Sequence, residues 1–250
     1  MSQVRVGMCG VVCAVICALV LTGSSVVRAT LREPARQVDQ RAAPATHDLP
    51  GRYELKLDTG HDGAVYIPAG YTRAAATPLL VWLHGAGGGG NVSPDLAAMA
   101  DEFGVIVLAP DSREWTWDAI LGNWGPDLEF LQRAMRQTLD RYSIDRGRIW
   151  LGGFSDGGSY SLSLGISYGN VFHKVFAGAP GVMQPIEVNG KPSIFLAHGR
   201  QDQTMPIDET SRKFLGKLKA LEYNVTYREY EGGHTLPPEI LREVFEWFRK

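Results

Sequence analysis

Hydrophobic and polar positions along the chain fall into three regimes. From Val6 to Val27 there is no charged side chain, and the apolar residues are densest between Val6 and Leu21. With Arg5 ahead of this run and Val27-Arg28-Ala29 behind it, residues 1–29 read as a secretory signal peptide cleaved after Ala29. The competing reading is an uncleaved anchor, because the segment 6–27 is just long enough to cross a bilayer. Residues 30–50 are rich in Ala, Arg, Pro and Gln and nearly devoid of large apolar side chains, so they read as a flexible linker. A folded domain is expected over residues 51–250.

Within that domain the period changes once. Tyr53 to Leu57 and Ala64 to Ile67 alternate around the turn-forming stretch Asp58-Thr59-Gly60-His61-Asp62-Gly63, which predicts a leading hairpin. Beyond it, short apolar runs alternate with stretches of helical spacing, the pattern of a mainly parallel sheet covered by helices on both faces. The predicted strands are Leu79 to Leu83, Val105 to Ala109, Ile149 to Gly152, Lys174 to Ala177, Ile194 to Ala197 and Val225 to Tyr230. The predicted helices are Pro94 to Phe103, Pro126 to Tyr142, Asp156 to Leu164, Ile207 to Leu221 and Pro238 to Phe248, several of them opened by proline. The fold class is thus α/β, with about eight mostly parallel strands, no internal repeat and no large lid domain.

Composition narrows the function classes. The 250 residues carry 25 basic and 27 acidic side chains without long runs, which gives no electrostatic footprint for nucleic acid. A membrane enters only through the N-terminal segment, if it stays uncleaved. All three cysteines, Cys9, Cys13 and Cys17, lie in the first regime, so the domain holds neither a disulfide framework nor a cysteine metal site. No His/Asp/Glu group has metal-ligand spacing, and no cofactor is expected.

The chemistry concentrates at strand ends. Gly153-Phe154-Ser155-Asp156-Gly157 follows one predicted strand and opens a helix, the context in which a serine is lifted out of the sheet on a sharp turn. Small flanking residues are needed there because a side chain would collide with neighbouring backbone. The same letters recur at Gly165-Ile166-Ser167-Tyr168-Gly169, but in helix-to-strand order, so Ser155 is the candidate nucleophile and Ser167 is not. A serine needs a base, and the base needs an oriented acceptor. His234 follows the last strand after Gly232-Gly233, and Asp202 follows the strand Ile194 to Ala197 within His198-Gly199-Arg200-Gln201-Asp202. Asp208 remains the alternative acid if Asp202 only forms a turn. His198 reads as structural.

The glycine-rich run after Leu79 to Leu83, His84-Gly85-Ala86-Gly87-Gly88-Gly89-Gly90, admits two readings. Gly85, Gly87 and Gly90, with Asp111 after the next strand, mimic a dinucleotide fingerprint. The same loop supplies half of an oxyanion hole through the N–H of Ala86 or Gly87, the other half being the N–H of Asp156 at the helix start. The elbow and the downstream Asp and His favour the second. Trp115, Trp117 and Trp124, in a loop at the same sheet edge, are candidates for an aromatic substrate wall or for loop packing.

From Tyr53 onward the chain resembles the α/β-hydrolase superfamily, and within it the phospholipase/carboxylesterase group with its polyhydroxyalkanoate-depolymerase-like and feruloyl-esterase-like relatives. The resemblance rests on Leu83-His84-Gly85-Ala86-Gly87-Gly88, Gly153-Phe154-Ser155-Asp156-Gly157-Gly158, His198-Gly199-Arg200-Gln201-Asp202 and Gly232-Gly233-His234. It implies a serine esterase acting on small-molecule, lipid or aryl esters, with nucleophile Ser155, acid Asp202, base His234 and an oxyanion hole at Ala86 and Asp156. It departs from the acyl-thioesterase members at Asp156, where those carry Gln. A serine peptidase on the same fold and a non-catalytic binding protein are the alternative functions.

Overall fold

The computed structural model describes residues 49–250. The signal segment 1–29, the anchor reading of residues 6–27 and all but the last two residues of the linker 30–50 lie outside the described residues. Eight strands form one sheet in the order β1-β2-β4-β3-β5-β6-β7-β8. The expected hairpin opens it: β1 (Gly51–Glu54) and β2 (Gly63–Ile67) pair antiparallel with Gly51 opposite Ile67 and Glu54 opposite Ala64. β2 then joins antiparallel to β4 (Ile106–Pro110), through Gly63 opposite Pro110.

The remaining strands are parallel, namely β3 (Thr77–Leu83), β5 (Ile144–Phe154), β6 (Lys174–Gly178), β7 (Ser193–Gly199) and β8 (Val225–Tyr230). The crossover after β3 runs outward to β4, and the next returns to β5 on the other side of β3. Connections therefore diverge at the carboxyl ends of β3 and β5, which opens a crevice there.

Helices cover both faces. Helix α1 (Pro94–Phe103) and helix α5 (Pro238–Arg249) share one core with Leu80, Val107, Trp150, Phe176, Phe195 and Ala197. Strand side chains alternate between faces. The neighbours Val175 and His198 accordingly point the other way, where Val175 meets Gly165 of helix α3 (Asp156–Ser167) and His198 meets Ser211 of helix α4 (Ser211–Ala220). Helix α2 (Pro126–Arg141) completes the set, after a single 3-10 turn at Asp118–Leu121 that the apolar pattern does not announce. Among the described residues no inserted lid domain interrupts this sheet.

Strand bounds shift from expectation, β1 ending at Glu54 rather than Leu57 and β5 beginning at Ile144 rather than Ile149, and two helix ends move as well. Helix α4 begins at Ser211 rather than Ile207, because Thr210 stands at the non-helical φ −120° and ψ −99° and Arg212 N–H reaches five residues back to Ile207 O at 3.1 Å, which keeps residues 207–210 in turns. Helix α3 continues to Ser167 instead of stopping at Leu164. Its serines 159, 163 and 167 each donate a hydroxyl to the carbonyl four residues back. Each hydroxyl oxygen also accepts N–H groups from the segment after β6: Gly181 and Val182 on Ser159, Gln184 on Ser163 and Ile186 on Ser167. Ser167 is thereby a structural residue of this ladder.

Candidate active site

Ser155 stands between the end of β5 and the first residue of α3, at φ 60° and ψ −124°. That conformation is costly for a residue with a Cβ, about 1–3 kcal/mol, and persists only where its surroundings hold it. Here the Ser155 N–H donates to Gly178 O at 2.8 Å, and the flanking glycines let the turn close. A Cβ on Gly153 would lie 2.5 Å from Gly157 O and 2.6 Å from Leu83 O. One on Gly157 would be driven into the carbonyl oxygens of Leu83 and His84.

The three residues singled out at strand ends meet. His234 Nε2 lies 2.8 Å from Ser155 Oγ, and His234 Nδ1 lies 2.6 Å from Asp202 Oδ2. The imidazole also rests against the Phe154 ring, with centroids 4.9 Å apart. Asp202 is buried and accepts four hydrogen bonds. Oδ1 takes the N–H groups of Thr204 at 2.9 Å and Met205 at 2.8 Å, while Oδ2 takes His234 and, at 3.1 Å, His198 Nε2. Burial pushes the Asp202 carboxyl up, but the Met205 N–H, His234 and the Thr204 N–H outweigh it and hold it below the ordinary carboxylate value. Asp208, the alternative acid, instead pairs with Arg212 on the surface.

His198 is fully buried behind this acid. Its Nδ1 is 2.7 Å from Ser211 Oγ, and its Nε2 is 2.8 Å from Met205 O as well as 3.1 Å from Asp202 Oδ2. Two acceptors on one nitrogen assign the proton to Nε2 and leave Nδ1 to accept from the Ser211 hydroxyl. Burial lowers the His198 pKa against the opposing pull of Met205 O and Asp202, so the ring is a neutral donor near neutral pH. Sequence reasoning placed His198 as structural and did not see that it shares an oxygen with His234.

Facing Ser155 is the loop after β3. A Cβ on Gly85 would lie 3.3 Å from Ser155 Cβ, so only glycine lets the loop approach this closely without displacing its neighbour. Of the expected oxyanion donors, Gly87 is corrected: its N–H is already given to Trp115 O at 2.8 Å. The N–H groups of Ala86 and Asp156 take no protein acceptor among the described residues, and the second stands at a helix start, where the first N–H groups have no partner within the helix. The loop itself is fixed through His84, which shares Nδ1 with Gly85 O at 2.8 Å and accepts Ser112 N–H on Nε2 at 3.0 Å. The dinucleotide reading fails on position: Gly90 packs onto Ala109 O, Asp111 N and Gly63 Cα, where a Cβ would lie 2.6 Å from each, and Asp111 lies 3.2 Å from His84.

The Phospholipase/Carboxylesterase family model matches residues 127–250. An acyl-protein thioesterase 1 of Gibberella zeae is 31% identical over 150 residues, 53% of this chain and 62% of that protein. Feruloyl esterase C of Emericella nidulans is 27% identical over 158 residues, 60% of this chain and 57% of that protein. The fold matches a ferulic acid esterase of Anaeromyces mucronatus in complex with ferulic acid at TM-score 0.61 and 16% identity, covering 86% of this chain and 96% of that one. The chain has the α/β-hydrolase fold. It spans about three fifths of the length of the two curated relatives just named.

The three tryptophans part company. Trp117 is 1% exposed, donates its indole N–H to His84 O at 2.8 Å and packs between His84 and Tyr160, so it is removed from the wall and assigned to the interior. Trp124 is half-buried against Tyr160, with ring centroids 4.9 Å apart. Trp115 is 72% exposed, with its indole nitrogen lying where a Cβ on Gly87 would be 2.9 Å away. Of the three it is the exposed aromatic surface beside the glycine loop.

Proposed function

We propose that this protein is a carboxylic ester hydrolase working by two-step acyl transfer. His234 Nε2 takes the proton of Ser155 Oγ as that oxygen attacks the ester carbonyl carbon. The tetrahedral oxyanion is received by the N–H groups of Ala86 and Asp156. On collapse the C–O bond to the alcohol breaks, and His234 returns the proton to the leaving oxygen. Water, deprotonated by the same nitrogen, then attacks the acyl-serine, and the acid leaves with Ser155 reprotonated. Asp202 accepts Nδ1–H throughout and stabilises the transient imidazolium.

The observation that carries this reading is the unbroken hydrogen-bond line from Ser155 Oγ through His234 to Asp202, at 2.8 and 2.6 Å, on a serine held at φ 60°. Relatives named as feruloyl esterase and acyl-protein thioesterase support an acyl or aryl ester substrate, with Trp115 as the surface for its flat or apolar part. Export directed by a signal peptide over residues 1–29 belongs to the same reading, and a secreted protein beginning at Thr30 checks it.

The test is p-nitrophenol release from esters of acetate through palmitate. Serine-dependent turnover is expected, with Ser155→Ala lowering it by about 10³-fold or more. Near-normal turnover by a folded Ser155→Ala protein, or none by wild type across the panel, overturns the proposal. In the second case amide substrates then examine the peptidase alternative.

A further inference from the structure

The two N–H groups assigned to the oxyanion sit on different connections, Ala86 after β3 and Asp156 after β5. Each is anchored to its own strand, and the connections diverge at the point where the sheet reverses order. A pair of donors is useful only if both lie about 2.7–3.1 Å from where the oxyanion forms, so beyond the last paired residues, Leu83 opposite Gly153, their spacing depends on contacts that touch both connections. Three consecutive residues of the loop after β4 do so. Trp115 accepts the Gly87 N–H on its carbonyl at 2.8 Å, Thr116 donates its hydroxyl to Asp156 Oδ2 at 2.5 Å, and Trp117 donates its indole N–H to His84 O at 2.8 Å. Gly87 and His84 bracket Ala86 on one side, and Asp156 is the second donor itself.

The strap cannot slide. Trp117 is wedged between the rings of His84 and Tyr160, at 4.8 and 5.0 Å between centroids, and Tyr160 belongs to α3, the helix that Asp156 opens. Thr116 and Asp156 are both buried, and a hydroxyl donating to a carboxylate is among the stronger neutral-to-charged hydrogen bonds. The bond also accounts for an acid in an unexpected place. A carboxylate beside a developing oxyanion opposes it, and engagement by Thr116 holds that charge in one direction while its own N–H does the useful work.

We propose that Trp115-Thr116-Trp117 is a brace that sets the spacing of the two oxyanion donors, with Thr116 as the positioning residue that ties it to the nucleophile side through Asp156. This rests on the reading of Ser155 as nucleophile. Thr116 touches no reacting atom, and its effect belongs to the transition state.

The experiment measures kcat and KM on p-nitrophenyl acetate, and the affinity for phenylboronic acid as a tetrahedral mimic, for wild type, Thr116→Val, Thr116→Ser, Asp156→Ala and the Thr116→Val/Asp156→Ala pair. Thr116→Val is expected to lower kcat by about 10- to 100-fold with KM within about twofold, and to weaken boronate binding by a like factor. Thr116→Ser keeps the hydroxyl and is expected to stay within about threefold of wild type, while Thr116→Val adds nothing further once Asp156 is Ala. A Thr116→Val protein with wild-type kcat, a kcat loss without weaker boronate binding, no rescue by Ser, or full additivity in the pair each overturns the brace. If Thr116→Val does not fold, Asp156→Ala carries the decision: the same joint loss supports the brace and an unchanged boronate affinity overturns it. A folded wild type that neither turns over the ester nor reacts with a fluorophosphonate at Ser155 overturns the hydrolase reading and the brace with it. An active, labelled wild type beside an indifferent Thr116→Val overturns the brace alone.

Discussion

Helix α3 contains four buried serines, and they are expected to respond to alanine with opposite signs. Ser163 Oγ donates to Ser159 O at 2.8 Å and accepts Gln184 N–H at 2.9 Å. Ser161 is equally buried, yet its hydroxyl has no partner among the described residues. Ser163→Ala strands a backbone N–H at a cost of about 1–2 kcal/mol, partly offset by roughly 0.5 kcal/mol of better helix propensity. Ser161→Ala gains the same propensity and removes a desolvated hydroxyl that nothing satisfies, for a net stabilisation of about 1 kcal/mol. The two variants should therefore differ by about 2 kcal/mol, which for a domain of this size separates their melting temperatures by about 4–8 °C. Urea unfolding with a common slope reads the difference directly. Equal shifts, or a loss in Ser161→Ala as large as that in Ser163→Ala, refute the reasoning that partnered and unpartnered hydroxyls buried on one helix are energetically different objects.

Two further outcomes follow from the acid and from the sheet edge. His198→Leu removes a donor from Asp202 and leaves Ser211 Oγ and Met205 O facing an apolar side chain, so stability should fall by about 2–4 kcal/mol and kcat by about tenfold with KM little changed, measured by urea unfolding and ester kinetics; an unaltered kcat speaks against any role in orienting the acid. Glu229 is held down to about 2, first by Arg212, against the opposing effect of burial, and then by Arg200 and Tyr227. Its folded pKa lies below its unfolded one, so its contribution is present in full above about pH 4.3 and is lost as pH falls toward 2. Wild type and Glu229→Gln should differ in urea midpoint at pH 6 and converge near pH 2, and curves that stay parallel over that window contradict the assignment.

What the sequence disclosed was whatever is encoded locally. The elbow is legible because Gly153, Ser155 and Gly157 answer steric demands within one turn, and the order Ser155, Asp202, His234 is legible because each residue follows a recognisable apolar strand. The hairpin and the order of strands and helices are legible for the same reason. Failures occurred where the partner is remote. Whether Gly87 offers its N–H depends on the carbonyl of Trp115, which a different crossover brings to it. Trp117 and Trp115 lie two positions apart in one loop, yet one is interior and the other exposed, a distinction set by His84 and Tyr160 rather than by any local pattern. Helix α3 runs past its expected end at Leu164, where the hydroxyls of its serines are occupied by backbone groups on either side.

The backbone of Ser155 carries an implication for how this protein ages in evolution. A residue with a side chain at φ 60° and ψ −124° is one that glycine would occupy with less strain. Selection for stability alone therefore pulls position 155 away from serine, and on the proposed mechanism selection for chemistry pulls it back. In a lineage that no longer needs the reaction, the first substitution tolerated at the elbow is also one that relaxes the fold. On the proposed mechanism, loss of activity there is downhill in free energy.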